Sequence, residues 1–234
     1  MKKLKQFYLK YHHAVPLIIY GIVYLSWFNH LENMTGRNYT VIHMAIDDRI
    51  PFCEFFIVPY FLWFAYIAWI VLYLFFKNKN DYYKSCTFLF TGMTVFLLVS
   101  TFFPNIQHLR PVTMPRDNIF TDLVSFLYRI DTSTNLWPSI HVYNSLGVYF
   151  AVMHNDRLGS SRKIKTCSFI MSMLIILSTV FLKQHSMFDV LTAFIMAAIV
   201  YTIVYRFDVI MSFKHIWVTN RQKKSRNYVN VKYR

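Results

Sequence analysis

A chain of 234 residues that is 56% hydrophobic and only 15% charged is too apolar for a soluble domain, in which about a quarter of residues carry charge. The net charge of +14 does not indicate nucleic acid. The basic residues fall between long apolar blocks, as loop charges do when they orient membrane helices, and the blocks predict an all-α, polytopic membrane protein.

The first apolar block runs from about Ala14 to Leu31. Met1-Lys2-Lys3 precedes it and no small-residue cleavage site follows, so it is expected to be an uncleaved first span. Next comes a polar-apolar loop, Glu32 to Glu54. It carries Asp47, Asp48 and Arg49, offers two glycosylation triplets at Asn33 and Asn38, and is expected to pack at the membrane interface. Further spans are expected at about Phe55 to Phe76, Cys86 to Pro104, Ser139 to His154, Thr166 to Leu182 and Met187 to Tyr205. Between the third and fourth, Asn118 to Asp131 places Ile119, Phe120, Leu123, Val124, Leu127 and Ile130 at helical spacing. This predicts an amphipathic helix lying on the outer surface. The expected architecture is a six-transmembrane-helix bundle over residues 1–210, followed by a basic cytoplasmic tail over 211–234.

Alternate assignment of the loops puts 19 of the 25 basic residues on one side and six on the other. The positive-inside rule then places both termini in the cytoplasm. The notable polar clusters fall on the extracytoplasmic side. Cys53, Cys86 and Cys167 make neither a disulfide framework nor a metal-ligand spacing.

Those polar clusters lie at the outer mouths of spans three to six: Arg110-Pro111, then Pro138-Ser139-Ile140-His141, then Lys183, His185 and Asp189. Ionisable groups at membrane depth are costly and mark functional sites. Pro138 suits the first position of a helix, so Ser139 and His141 sit where free N–H groups favour an anion. His185 and Asp189 are four apart and share a helix face, and a carboxylate there fixes the imidazole tautomer. This set suits displacement at phosphorus. His185 is the nucleophile, Asp189 orients it, and His141 gives a proton to the leaving oxygen. Arg110, Ser139 and Lys183 hold the phosphate, and no metal or cofactor is required. Two readings of the same residues compete: Ser186-x-x-Asp189 is also a capping box, and two histidines with one carboxylate are also a metal-ligand set.

At these residues the chain resembles the phosphatidic acid phosphatase type 2 superfamily, whose motifs are K-x6-R-P, P-S-G-H and S-R-x5-H-x3-D. The first is reduced to Arg110-Pro111, with Phe103 in the lysine position. The second reads Pro138-Ser139-Ile140-His141, with Ile140 for glycine. The third reads Ser178-Thr179, five residues, His185, three residues, Asp189, with Thr179 for arginine. The resemblance implies a six-helix bundle and a metal-independent phosphohistidine mechanism. In it His185, Asp189 and His141 are catalytic, and Arg110 and Ser139 bind phosphate. Lys183 and Arg116 are candidates for replacing the lost cations. The bulky residue inside P-S-x-H is also similar to the branch holding inositol phosphorylceramide synthases and sphingomyelin-synthase-like proteins, which pass a headgroup to a lipid alcohol. The expected partner is therefore a lipid phosphate, processed by a phosphatase or by a headgroup phosphotransferase. A non-catalytic lipid-phosphate binder or transporter is the remaining alternative.

Overall fold

In a computed structural model the described residues are 6, 9–34 and 36–208. The basic tail expected over 211–234 lies outside them. Eight α-helices follow in order: α1 Val15–Glu32, α2 Ile57–Lys77, α3 Lys79–Phe102, α4 Ile119–Ile130, α5 Ile140–His154, α6 Asp156–Gly159, α7 Arg162–Phe181 and α8 Met187–Tyr201. Short 3-10 turns lead into α1 (His12–Ala14) and α2 (Glu54–Phe56), and a π-turn, Thr202–Arg206, extends α8. Two short strands, β1 Thr40–Val41 and β2 Asn105–Ile106, pair in parallel.

Local chemistry sets the helix starts. From α3 onward each helix begins at an Asn or Ser, namely Asn78, Asn118, Ser139, Asn155, Ser161 and Ser186. The side-chain oxygen of each accepts a first-turn N–H, satisfying donors that the helix leaves unpaired. The Asn78 cap explains why α3 starts well before the apolar block at Cys86: it extends the helix through the polar turn Lys79–Lys84.

Five segments are long and apolar enough to cross a bilayer: Leu9–Glu32, Glu54–Lys77, Lys79–Phe102, Arg162–Phe181 and Met187–Arg206. Their outward faces carry Ile18, Ile22 and Leu25 of α1, Trp69 and Phe76 of α2, and Ile195 and Ile199 of α8, all exposed. An exposed apolar shell of this extent fits a hydrocarbon solvent. The expected fourth span forms α5, whose 15 residues rise only ~22 Å against a ~30 Å hydrocarbon core. It is also the central rod of the bundle. Val142, Tyr143, Ser145, Val148 and Val152 are fully buried, and α2, α3, α7 and α8 pack around it.

The outer elements differ in kind. α4 forms as expected, closed by an Asn118–Thr121 capping box. It buries Val124 and Leu127 and exposes Ile119, Phe126 and Ile130. The loop from Glu32 to Glu54 takes a different form. It supplies β1 and then folds inward, leaving Asp47 1% exposed.

Two glycines set the spacing of the central pair, Gly92 of α3 and Gly147 of α5, the second lying where a Cβ would overlap the Phe88 ring. A Cβ on Gly92 of α3 would overlap the Tyr143 ring of α5. That ring is tethered, because its hydroxyl donates to the Phe88 carbonyl at 2.8 Å. Gly92→Ala is expected to force the helices apart and cost about 1–3 kcal/mol, read as a lower thermal midpoint in detergent. An unchanged midpoint would show that the α3–α5 contact is not tight.

Candidate functional site

α7 ends where the N–H groups of Gln184 and His185 both reach the Thr179 carbonyl, at 2.9 and 3.0 Å. Lys183 takes a left-handed conformation with φ 54°, which turns the chain back into α8. Thr179 stands in the arginine position of the third motif and is fully buried. It supplies its carbonyl to this turn and its hydroxyl to Ile176 O at 2.7 Å.

The turn delivers His185 to the centre of a side-chain relay. Its Nδ1 lies 3.3 Å from Asp189 Oδ2, and its Nε2 lies 3.4 Å from Nδ1 of His141 in the first turn of α5. The two imidazole centroids are 5.6 Å apart. Asp189 also accepts the Ser186 N–H on the same oxygen, at 3.1 Å. The capping-box and imidazole-orienting readings therefore hold together. The other oxygen, Oδ1, is buried with no hydrogen-bond partner among the described residues. Donation from Nδ1 to Asp189 selects the tautomer of His185 whose Nε2 lone pair faces His141. On its far side His141 rests against Tyr60 at 4.7 Å and Trp63 at 4.3 Å between centroids.

Residues outside the motifs hold both histidine segments in place. Asp47 binds the start of α8: its carboxylate accepts from Ser186 Oγ at 2.5 Å, Met187 N at 2.8 Å and Met44 N at 2.8 Å. Gln107 donates to the Lys183 and Gln184 carbonyls. Asn105 accepts the N–H groups of Leu136 and Trp137 at 2.7 and 3.0 Å, fixing the approach to α5. The Ser139 N–H points to the Asp189 carbonyl at 3.4 Å, and the Trp137 indole donates to Thr192 at 2.9 Å. These contacts lock α5 and α8 together at the site.

The expected phosphate-binding residues are placed otherwise. Arg110 gives its guanidinium to the carbonyls of Tyr128, Asp131 and Thr132 and to Gln184 Oε1 at 2.7 Å. Lys183 donates to the Asp47 and Ile50 carbonyls at 2.7 and 2.5 Å. Arg116 pairs with the buried Glu54 at 2.5 Å. Ser139 is fully buried, and its hydroxyl oxygen caps α5 at Val142 N. The structure thus gathers His141, His185 and Asp189. It turns Arg110 and Lys183 toward backbone carbonyls and keeps Arg116 on a separate carboxylate, since unpaired carbonyls and buried carboxylates attract the nearest cation. Burial pulls the Arg110 and Lys183 cations below their ordinary pKa values. It pushes the Asp131 carboxyl up, opposed by Arg110 and His185.

A cavity of about 650 Å³ reaches this site. α1 and α2 both lean on α3, and the space between them is walled by Tyr20, Tyr24, Phe28, Phe64, Phe90 and Met93. On α2 the lining runs from Tyr60 to Val71, about 16 Å along the axis at ~1.5 Å per residue. The long walls are apolar. One end is polar, formed by Asp131, Thr134, Asn135, His141, Asn144 and His185.

Asp47, Asn105, Gln107, Asp131 and Asn144 belong to no motif. Only Asp47 left a trace in the sequence, as a carboxylate in a partly apolar loop. Among the described residues no group of three or more His, Cys, Asp or Glu side chains is arranged to hold a metal. His185 stands between its two neighbours, so the three do not converge on a point.

The fold and its lipid-facing shell define an integral, multi-pass helical membrane protein. Comparison with protein-family models, curated proteins and solved structures finds no match for the chain.

Proposed function

We propose that the chain is a membrane lipid-phosphate phosphatase acting through a phosphohistidine. The observation that carries this reading is the Asp189–His185–His141 relay at the polar end of an elongated apolar cavity. The cavity suits a hydrocarbon chain, and the relay suits attack on a phosphoryl group held at its mouth. In this reading α5 counts as a sixth span, both termini are cytoplasmic and the histidines face the extracytoplasmic side.

The Nε2 lone pair of His185 displaces its contact with His141 and attacks phosphorus. An N–P bond forms as the P–O bond to the lipid breaks. Asp189 stabilises the resulting imidazolium. His141, protonated once the anionic phosphoryl group sits beside it, gives that proton to the departing lipid oxygen, then takes one from the water that cleaves the N–P bond and releases phosphate.

One observation favours a second reading, headgroup transfer to a lipid alcohol. Among the described residues no Lys or Arg lines the cavity, and a phosphodiester carries less charge than a phosphomonoester. The test uses purified protein with phosphorus-labelled lipid, quenched during turnover, with and without a lipid alcohol. Label retained on protein in an acid-labile, base-stable bond and then released as phosphate is the expected result. A new phosphodiester formed only with the alcohol moves the assignment to transfer, and absence of any protein-bound label removes the phosphohistidine.

A further inference from the structure

Asn144 has no place in the relay, yet it lines the same cavity. It lies on α5 three residues beyond His141, about 4.5 Å further along the axis. It is 3% exposed, and its Oδ1 has no hydrogen-bond partner among the described residues. Trp63 lines the same cavity, 7% exposed, and its indole N–H also lacks a partner among the described residues. Buried polar atoms are rarely left unpaired in a native protein, and each costs free energy until something pairs with it. Here an unpaired acceptor and an unpaired donor line the cavity beside the imidazoles, Asn144 about one helical turn from His141 and Trp63 against the His141 ring. Two or three covalent bonds of ~1.5 Å span the rise from His141 to Asn144, so the linker atoms next to a bound phosphate ester reach it.

We infer that Asn144 forms a subsite for a hydrogen-bonding group in the linker of the lipid, a hydroxyl, ester or amide two or three bonds from the phosphate. The ligand is then a lipid phosphate with a polar backbone, not an alkyl or polyprenyl phosphate whose chain begins at the ester oxygen. This rests on the lipid-phosphate reading and narrows it. A site built to pair with a polar group rejects an analogue that lacks one, because its own buried groups stay unpaired.

The experiment measures binding by tryptophan quenching in detergent, and phosphate release in parallel, for hexadecyl phosphate, lysophosphatidate and ceramide 1-phosphate. Wild type is expected to bind the last two about 10-fold more tightly than the first. The tighter of the two identifies a hydroxyl-and-ester linker or an amide linker. Asn144→Leu keeps the branched heavy-atom skeleton and removes the polar group. It is expected to bring all three within about 2-fold by weakening only the polar-linker lipids. Equal binding of all three by wild type overturns the subsite, and so does a preference that survives in the variant. Should the variant fail to fold, the wild-type order decides alone. Ordered binding without phosphate release sinks the phosphatase and leaves the subsite standing; phosphate release without ordering does the reverse.

Discussion

His185→Ala is expected to lower phosphate release from a lipid phosphate by at least ~10⁴-fold, the scale seen when a nucleophile of a concerted catalytic unit is removed. The variant deletes the imidazole that lies within hydrogen-bonding distance of both Asp189 and His141. It also leaves the Asp189 carboxylate, 1% exposed, with one fewer partner, so a modest fall in thermal midpoint accompanies the loss. His185→Gln separates the two effects: it refills the space and can donate to Asp189, but it offers no ring nitrogen to attack phosphorus. Lost turnover with a near-native midpoint in His185→Gln is the expected pattern. His141→Ala is expected to fall less, by ~10²–10⁴-fold, the range for a lost general acid–base. Turnover within a few-fold of wild type in either His185 variant would end the nucleophile assignment.

Asp47→Ala is expected to be the most damaging change away from the relay. The Asp47 carboxylate takes three hydrogen bonds, from Met44 N, Ser186 Oγ and Met187 N. Bonds to charged groups contribute ~1.5–3 kcal/mol each and are not additive, so a loss of about 3–4 kcal/mol is expected. The effect is local, because Ser186 and Met187 directly follow His185. Once α8 loses its anchor, the imidazole no longer holds its angle to His141. kcat should therefore fall while KM stays within about 2-fold. Asp47→Asn keeps one acceptor oxygen for Met187 N and is expected to retain much of both stability and rate. The comparison is made by thermal midpoint and by kcat and KM in the same detergent. Native kcat in Asp47→Ala would show that the loop does not position the histidine.

Part of this arrangement is legible in the linear chain. The i, i+4 spacing of His185 and Asp189 places both on one face of any helix turn, and Ser186 three residues before Asp189 announces the cap that starts α8. Pro138 and Ser139 announce the start of α5 in the same way. The cations were not legible. Arg110 and Lys183 read as phosphate ligands because a free basic group beside two histidines suggests an anion. In the fold the carbonyls of Tyr128, Asp131 and Thr132 claim Arg110, and those of Asp47 and Ile50 claim Lys183. Such competition depends on which loop lies nearest, and spacing along one segment carries no record of it. Asp47 shows the converse: nothing in its own segment says that it will reach a turn more than 130 residues later.

Apolar blocks, loop charges and capping residues determined the class of the protein, its helix starts and the shared face of His185 and Asp189, because each depends on neighbours within a turn or two of helix. The tertiary structure alone decided that His141 meets His185, that α5 is the central rod, and that α1 and α2 part to leave a cavity beside the relay. Those outcomes come from long-range packing, such as Gly92 against Tyr143 and Asp47 against Ser186, in which distant segments compete for the same buried surface and the same unpaired polar atoms.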